Sequence, residues 1–170
     1  ASRVADALYR RSFDVGRHAL WGDLGATGAG HSLADRYHEK LESVAEEGRS
    51  ARGTARVSAS DIAPEDQVRV LEADVSSKVG KVQILVNNAG TNLRKDITDF
   101  TLDEWRGVQD TNLTSVFLMC RSFVPHMKGT GYGRIINMTS IMAHVSMPQR
   151  TAYSSPKFAA LGLPKGPRPD

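Results

Sequence analysis

Tyr153 and Lys157 stand four residues apart, so on a helix both side chains leave one face, one above the other. An ammonium beside a phenol favours the phenolate, which makes Tyr153 a candidate general acid and base. Ser140 lies thirteen residues before Tyr153, where a hydroxyl could hold a carbonyl oxygen. A Tyr-x-x-x-Lys pair alone is weak, because it arises by chance on many helices and reads equally as a solvated tyrosine beside a surface lysine. The ordered set is more specific. Asn87-Asn88-Ala89-Gly90 follows an apolar run, Asn112 falls in the next helical stretch, Ser140 follows a second apolar run, and Tyr153 and Lys157 come after it.

Several elements must position these groups. Val82-Gln83-Ile84-Leu85-Val86 is short, apolar and closed by a turn, which predicts a buried strand, and Arg134-Ile135-Ile136-Asn137-Met138 predicts another. Between them, Thr101 to Glu104 has the spacing of a capping box, and Trp105, Val108, Leu113, Val116, Phe117 and Cys120 recur at helical intervals. A long helix is expected from Thr101 toward His126. Upstream, Pro64 at a first helical position with Glu65 and Asp66 behind it predicts a helix with Val68, Leu71 and Val75 on one face, ending near Gly80. Ala55-Arg56-Val57-Ser58 reads as a strand before it. Further upstream, His18 to Trp21 is expected as a strand leading into the glycine-rich run Gly25 to Gly30, and a helix carrying Leu41, Val44 and Ala45 is expected to begin near Asp35. Strands alternating with helices build a parallel sheet covered on both faces, so the fold class is α/β.

A length of 170 residues suits one domain, and 40% hydrophobic with 24% charged residues is a globular composition. The net charge of +3 is spread without a long basic run, which argues against nucleic acid as a partner. No apolar stretch is long enough to cross a membrane. The single cysteine, Cys120, excludes an internal disulfide and suits a reducing, cytoplasmic setting; it reads as a helix core residue. His18, His31, His38 and His126 lack metal-ligand spacing and are expected as surface or capping groups, so no metal is expected. The tail 164–170 carries three prolines and is expected to be disordered.

The ordered set resembles the short-chain dehydrogenase/reductase family in spacing and element context, from roughly Ser12 to Leu163 and most densely from Val82 onward. The resemblance implies a doubly wound, Rossmann-like parallel sheet, with a partial domain at 12–163 and an N-terminal extension at 1–11. It implies hydride transfer between NAD or NADP and a secondary alcohol or ketone of a small-molecule substrate. On that basis Tyr153 would be the general acid and base and would also contact the cofactor. Lys157 would favour its phenolate and bind the nicotinamide ribose, Ser140 would orient the substrate oxygen, and Asn112 would hold a water in the proton relay. Thr27 and Gly28 would belong to the glycine turn that meets the pyrophosphate. Asn87, Ala89 and Gly90 would lie along the cofactor, and Asp61 would meet the adenine. Asp35 would bind ribose hydroxyls and favour NAD, while Arg36 beside it leaves NADP open. A homodimer or homotetramer, joined through the helix beginning near Thr101 and the one bearing Tyr153, is also implied.

Within the family, Gly90 to Lys95, Phe100-Thr101 and His144 to Arg150 look like the gluconate 5-dehydrogenase and 2-deoxygluconate 3-dehydrogenase branch. Arg94, Lys95, His144, Gln149 and Arg150 would suit an anionic, hydroxyl-rich substrate such as a sugar acid. Each reads equally as an exposed loop residue. A 3-oxoacyl-thioester reductase shares the same four catalytic residues, and a non-catalytic remnant is a further reading.

The chain also departs from the family. Thr27-Gly28 are followed by Ser32 and Ala34 where two later glycines are expected. Asp35 arrives seven residues after Gly28, whereas a dinucleotide fold places the acidic residue about 20 residues on. The sheet is therefore expected to be incomplete at the first helix, and also after the fifth strand, which would be left as an open edge. Pro156, three residues after Tyr153, is expected to be harmless only in a first helical turn, and otherwise to tilt Tyr153 against Lys157.

Overall fold

Four strands are formed by the described residues of a computed structural model, which are 30–35 and 54–163, with Glu42, Ala45, Glu46, Arg49 and Ser50 between them. The expectations for 1–11, His18 to Trp21, Thr27, Gly28, Leu41, Val44 and the tail 164–170 lie outside the described residues. The strands are β1 (Gly30–Asp35), β2 (Thr54–Ala59), β3 (Ile84–Asn87) and β4 (Arg134–Asn137). Among the described residues, the helices with both ends defined are α1 (Glu65–Lys78), α2 (Leu102–Gln109), α3 (Ser115–Met127) and α4 (Thr151–Ala159), and Glu42, Ala45, Glu46, Arg49 and Ser50 are helical as well. β1 pairs with β2 and β3 with β4, both in parallel, as crossover helices between successive strands require. This is the Rossmann-type α/β fold.

Burial follows from what covers each strand. Leu85 and Val86 are consecutive in β3 and both buried, so β3 is covered on two faces and reads as an unbroken apolar run. β4 alternates instead, with Ile135 buried and Ile136 46% exposed. β3 begins two residues later than expected, because the Val82 amide donates to Nδ1 of His126 at 3.3 Å rather than to a neighbouring strand. The ladder extends one bond past each strand end, with the Arg134 amide on the Gln83 carbonyl and the Met138 amide on the Asn87 carbonyl, both at 2.9 Å.

α1 turns Val68, Leu71 and Val75 inward at helical spacing, where they pack with Leu85 of β3 and with Met119, Cys120 and Phe123 of α3. Pro64 is the N-cap rather than the first helical residue. Gly80 ends the helix with φ +102°, a left-handed conformation that costs glycine least.

The first third differs from expectation. Gly30–Asp35 is a strand throughout, with Ser32 and Ala34 buried, so the strand takes in Gly30, the end of the expected glycine run; Glu42, Ala45, Glu46, Arg49 and Ser50 are helical, in keeping with the expected helix through Ala45, whose start lies outside the described residues. Only Ala29 separates Gly28 from β1, so no helix fits between Gly28 and Asp35. The long helix from Thr101 is also interrupted. The capping box forms as expected, with the Glu104 amide donating to Thr101 Oγ1 and the Thr101 amide to Glu104 Oε2. After α2, however, Asp110–Thr114 takes a π-helical turn before α3 resumes. The extra residue in that turn shifts the helical phase of α3 relative to α2: Val108, Val116 and Cys120 are buried, whereas Phe117 is exposed.

Candidate active site

The candidate site is assembled at the C-terminal ends of β3 and β4, the end of a parallel sheet where ligands bind in such folds. α4 brings Tyr153 and Lys157 there. Lys157 is only 4% exposed, and its ammonium donates to the Met138 carbonyl, just past β4, at 2.8 Å. Burial lowers its pKa below the usual 10.5 by penalising the charged form. Its Nζ lies 5.7 Å from the centroid of the half-buried Tyr153 ring, so the two residues do share one helix face.

Ser140 follows β4 in extended conformation and caps a short 3-10 turn, Ile141–Ala143, its Oγ accepting from the Met142 amide at 3.2 Å. That turn packs against α4. Asn112 sits in the π-helical turn, 1% exposed, and this turn also packs against α4. Its side chain meets the Thr91 backbone twice: Oδ1 accepts from the Thr91 amide at 2.7 Å, and Nδ2 donates to the Thr91 carbonyl at 2.8 Å. The second Nδ2 hydrogen and second Oδ1 lone pair are what remains for another partner. The structure thus gathers Asn112, Ser140, Tyr153 and Lys157 around one helix.

Behind them, Asn87 and Asn137 stand opposite each other in the β3–β4 ladder. Asn87 Nδ2 donates to Asn137 Oδ1 at 2.9 Å and to Cys120 Sγ at 3.5 Å. Cys120 is buried in the α3 core, as expected, and burial raises its thiol pKa. Ala89 is buried and Gly90 half-buried in the loop between Asn87 and Thr91.

The other expected positions are dispersed. Asp61 follows β2 and caps its own turn, Oδ1 accepting from the Ala63 amide at 3.1 Å. Asp35 is the last residue of β1, at a strand end as expected; its side chain lies outside the described residues. Arg94, His144 and Gln149 are exposed loop residues, Gln149 with φ +61°, and Arg150 precedes α4 as its half-buried N-cap. Lys95 is corrected as a free cation for an anionic substrate: its ammonium is 2.6 Å from Glu104 Oε1, and this bond is the chief reason that the Glu104 pKa is lowered.

Two further expectations are overturned. Pro156 is the sixth residue of α4, well past the first turn, yet Tyr153 and Lys157 stay on one face. The carbonyl it deprives of a partner, that of Ala152, accepts from Gln109 Nε2 at 3.1 Å instead. His126 is 9% exposed rather than a surface group, and bridges the Val82 amide to Glu72. Gln109, Met138 and His126 were missed as positioning groups. Pro156 marks the Ala152 carbonyl as needing a donor, but nothing in the sequence names Gln109 as the residue that supplies it.

A model of the short chain dehydrogenase family matches residues 18–168. The chain belongs to that family. Among curated relatives, D-threitol dehydrogenase of Mycolicibacterium smegmatis is 33% identical over 81% of this chain and 53% of its own. Gluconate 5-dehydrogenase of Gluconobacter oxydans is 31% identical over 84% and 56%. A 3-oxoacyl-[acyl-carrier-protein] reductase of Staphylococcus epidermidis is 32% identical over 80% and 57%. The chain spans about half the length of the curated relatives it matches. A crystal structure of a metagenomic short-chain oxidoreductase in complex with NADP superposes with a TM-score of 0.84 at 28% identity, covering 94% of this chain and 72% of that one. Among the described residues, no helix is long and apolar enough to cross a membrane, and no cluster of three His, Cys, Asp or Glu is placed to hold a metal ion.

Proposed function

We propose that this short chain dehydrogenase transfers a hydride between NAD or NADP and a secondary alcohol or ketone of a small polyol or sugar acid. The carrying observation is the buried Lys157 ammonium, anchored to Met138 and facing the Tyr153 ring. One of its three hydrogens is spent on Met138, which leaves two that suit the hydroxyls of a nicotinamide ribose. The chemistry of the donors therefore fits the nicotinamide end of the cofactor, which when bound supplies or accepts the hydride. Tyr153 exchanges the proton with the substrate oxygen, Ser140 orients that oxygen, and Asn112 fixes the loop after Gly90 along the cofactor and offers its remaining donor and acceptor to a relay water. Asn87, Ala89 and Gly90 line the same strand end; Thr27 and Gly28 are assigned to the pyrophosphate, Asp35 to the ribose hydroxyls and Asp61 to the adenine.

The polyol reading draws on the threitol and gluconate dehydrogenases among the relatives, and on Arg94, His144, Gln149 and Arg150, which supply cations and amides for hydroxyl and carboxylate groups. We place the domain at 12–163, in the cytoplasm. A homodimer or homotetramer would cover the exposed Phe117 of α3 and Phe158 of α4. The oxoacyl reductase among the relatives favours a second reading, reduction of a 3-oxoacyl thioester.

Turnover of 5-ketogluconate against an acetoacetyl thioester, with NADH and NADPH each as donor, separates the two. Faster reduction of the sugar acid is expected. No turnover, together with no saturable cofactor fluorescence change below millimolar concentration, would leave a non-catalytic remnant, a reading favoured by the missing helix between Gly28 and Asp35.

A further inference from the structure

Pro156 and Gln109 belong to different helices, yet one supplies what the other withholds. A residue at the sixth position of an α-helix ordinarily donates its amide hydrogen to the carbonyl four residues back. Pro156 has none, so the Ala152 carbonyl loses its partner in the middle of α4. Ala152 is 0% exposed, so its carbonyl does not look to bulk water, and leaving such a group unpaired is costly. Gln109, the last residue of α2, fills the vacancy with Nε2 at 3.1 Å. Only the amide nitrogen can serve, because the acceptor is a carbonyl, and this fixes the orientation of the Gln109 amide.

The placement of that bond is what connects it to the site. Ala152 immediately precedes Tyr153 and Pro156 immediately precedes Lys157, so the missing rung lies beside the rung that spans the reactive pair. Gln109 in turn immediately precedes the π-helical turn that holds Asn112. The other helix-interior proline, Pro125, offers a contrast: it and Arg121, whose carbonyl it deprives, are both exposed positions.

We propose that Gln109 is a positioning residue: its side-chain amide replaces the backbone donor lost at Pro156 and so sets the helical turn on which Tyr153 and Lys157 face the site. The proposal rests on the reading of these two as the reactive pair.

A double-mutant cycle on the full chain tests it. Gln109→Met keeps length and removes the donor, and Pro156→Ala returns the backbone amide. Alone, Gln109→Met is expected to shift the unfolding equilibrium constant on the order of tenfold, the worth of a buried carbonyl left unpaired. It is also expected to lower kcat with little change in KM and to move the pH profile of kcat. In the Pro156→Ala background all three effects should largely vanish. Equal losses in both backgrounds would overturn the proposal. If Gln109→Met alone does not fold, recovery of a folded chain on adding Pro156→Ala supports it, and failure to recover overturns it. If the parent chain shows no turnover, the proposed function fails, while additivity or coupling in unfolding still decides the part assigned to Gln109.

Discussion

The Lys157 ammonium donates to the Met138 carbonyl at 2.8 Å, and the Met138 amide donates in turn to the Asn87 carbonyl at 2.9 Å. The amine of α4 is thereby tied through a single residue to the ladder of β3 and β4. A helix side chain that is only 4% exposed would otherwise have four rotatable bonds to lose for no fixed position. The anchor holds Nζ over Tyr153 before any ligand arrives, which is the preorganisation that acid–base chemistry requires.

Burial of Lys157 has a consequence for stability against pH. Its folded pKa lies below the usual 10.5, so between those two values the unfolded chain binds the extra proton. Stability contributed by this group is therefore reduced below the folded value and recovered as pH rises toward 10.5. Urea unfolding of the parent and of Lys157→Met across this alkaline window should show the parent gaining stability relative to the variant as pH rises. A difference that stays flat with pH would contradict the buried, charged-form penalty.

Tyr153→Phe removes the hydroxyl while keeping the ring under Lys157. Carbonyl reduction should fall by about 10² to 10⁴-fold in kcat, the usual range for a lost general acid. NAD(P)H affinity, read by fluorescence titration, should change far less than kcat, because Lys157 and the strand-end residues keep their contacts with the cofactor. An undiminished kcat would remove Tyr153 from the chemistry.

Asn112→Leu leaves the amide and carbonyl of Thr91 without their side-chain partners. Two lost bonds of this kind could cost several kcal/mol in a sealed interior, but Thr91 is exposed and water can replace them. A loss of about 1 kcal/mol in denaturant unfolding is expected. Faster amide exchange at Thr91 is the more direct readout, and unchanged exchange would show that the loop is held by other contacts.

The shared helix face of Tyr153 and Lys157 was legible because one helical turn relates them, and Asn112 and Ser140 each accompany a helix or strand whose periodicity is plain. The capping box at Thr101 was legible for the same reason. The hidden features depend on contacts distant in sequence. The Gln109 amide meets Ala152 across 43 positions and the Val82 amide meets His126 across 44, so neither pattern leaves a local trace. The strand at Gly30–Asp35 was misread because glycine and serine dominate its start, and its burial comes from packing rather than from apolar content. The π-helical turn was missed since one inserted residue in an otherwise continuous apolar face changes only which side Phe117 occupies.

His126 offers a test of such a distant contact. Nδ1 accepts from the Val82 amide, so the ring hydrogen must sit on Nε2, where it donates to Glu72 Oε1 at 2.6 Å. The ring therefore joins α3, α1 and the approach to β3, and heteronuclear NMR should find the Nε2–H tautomer. His126→Leu fills similar space but leaves the Val82 amide, in a residue 0% exposed, without an acceptor. Unfolding free energy should drop by about 1 to 3 kcal/mol, and the Val82 amide should exchange faster. A loss under about 0.5 kcal/mol, the scale of an ordinary surface substitution, would mean that the approach to β3 is secured without the imidazole.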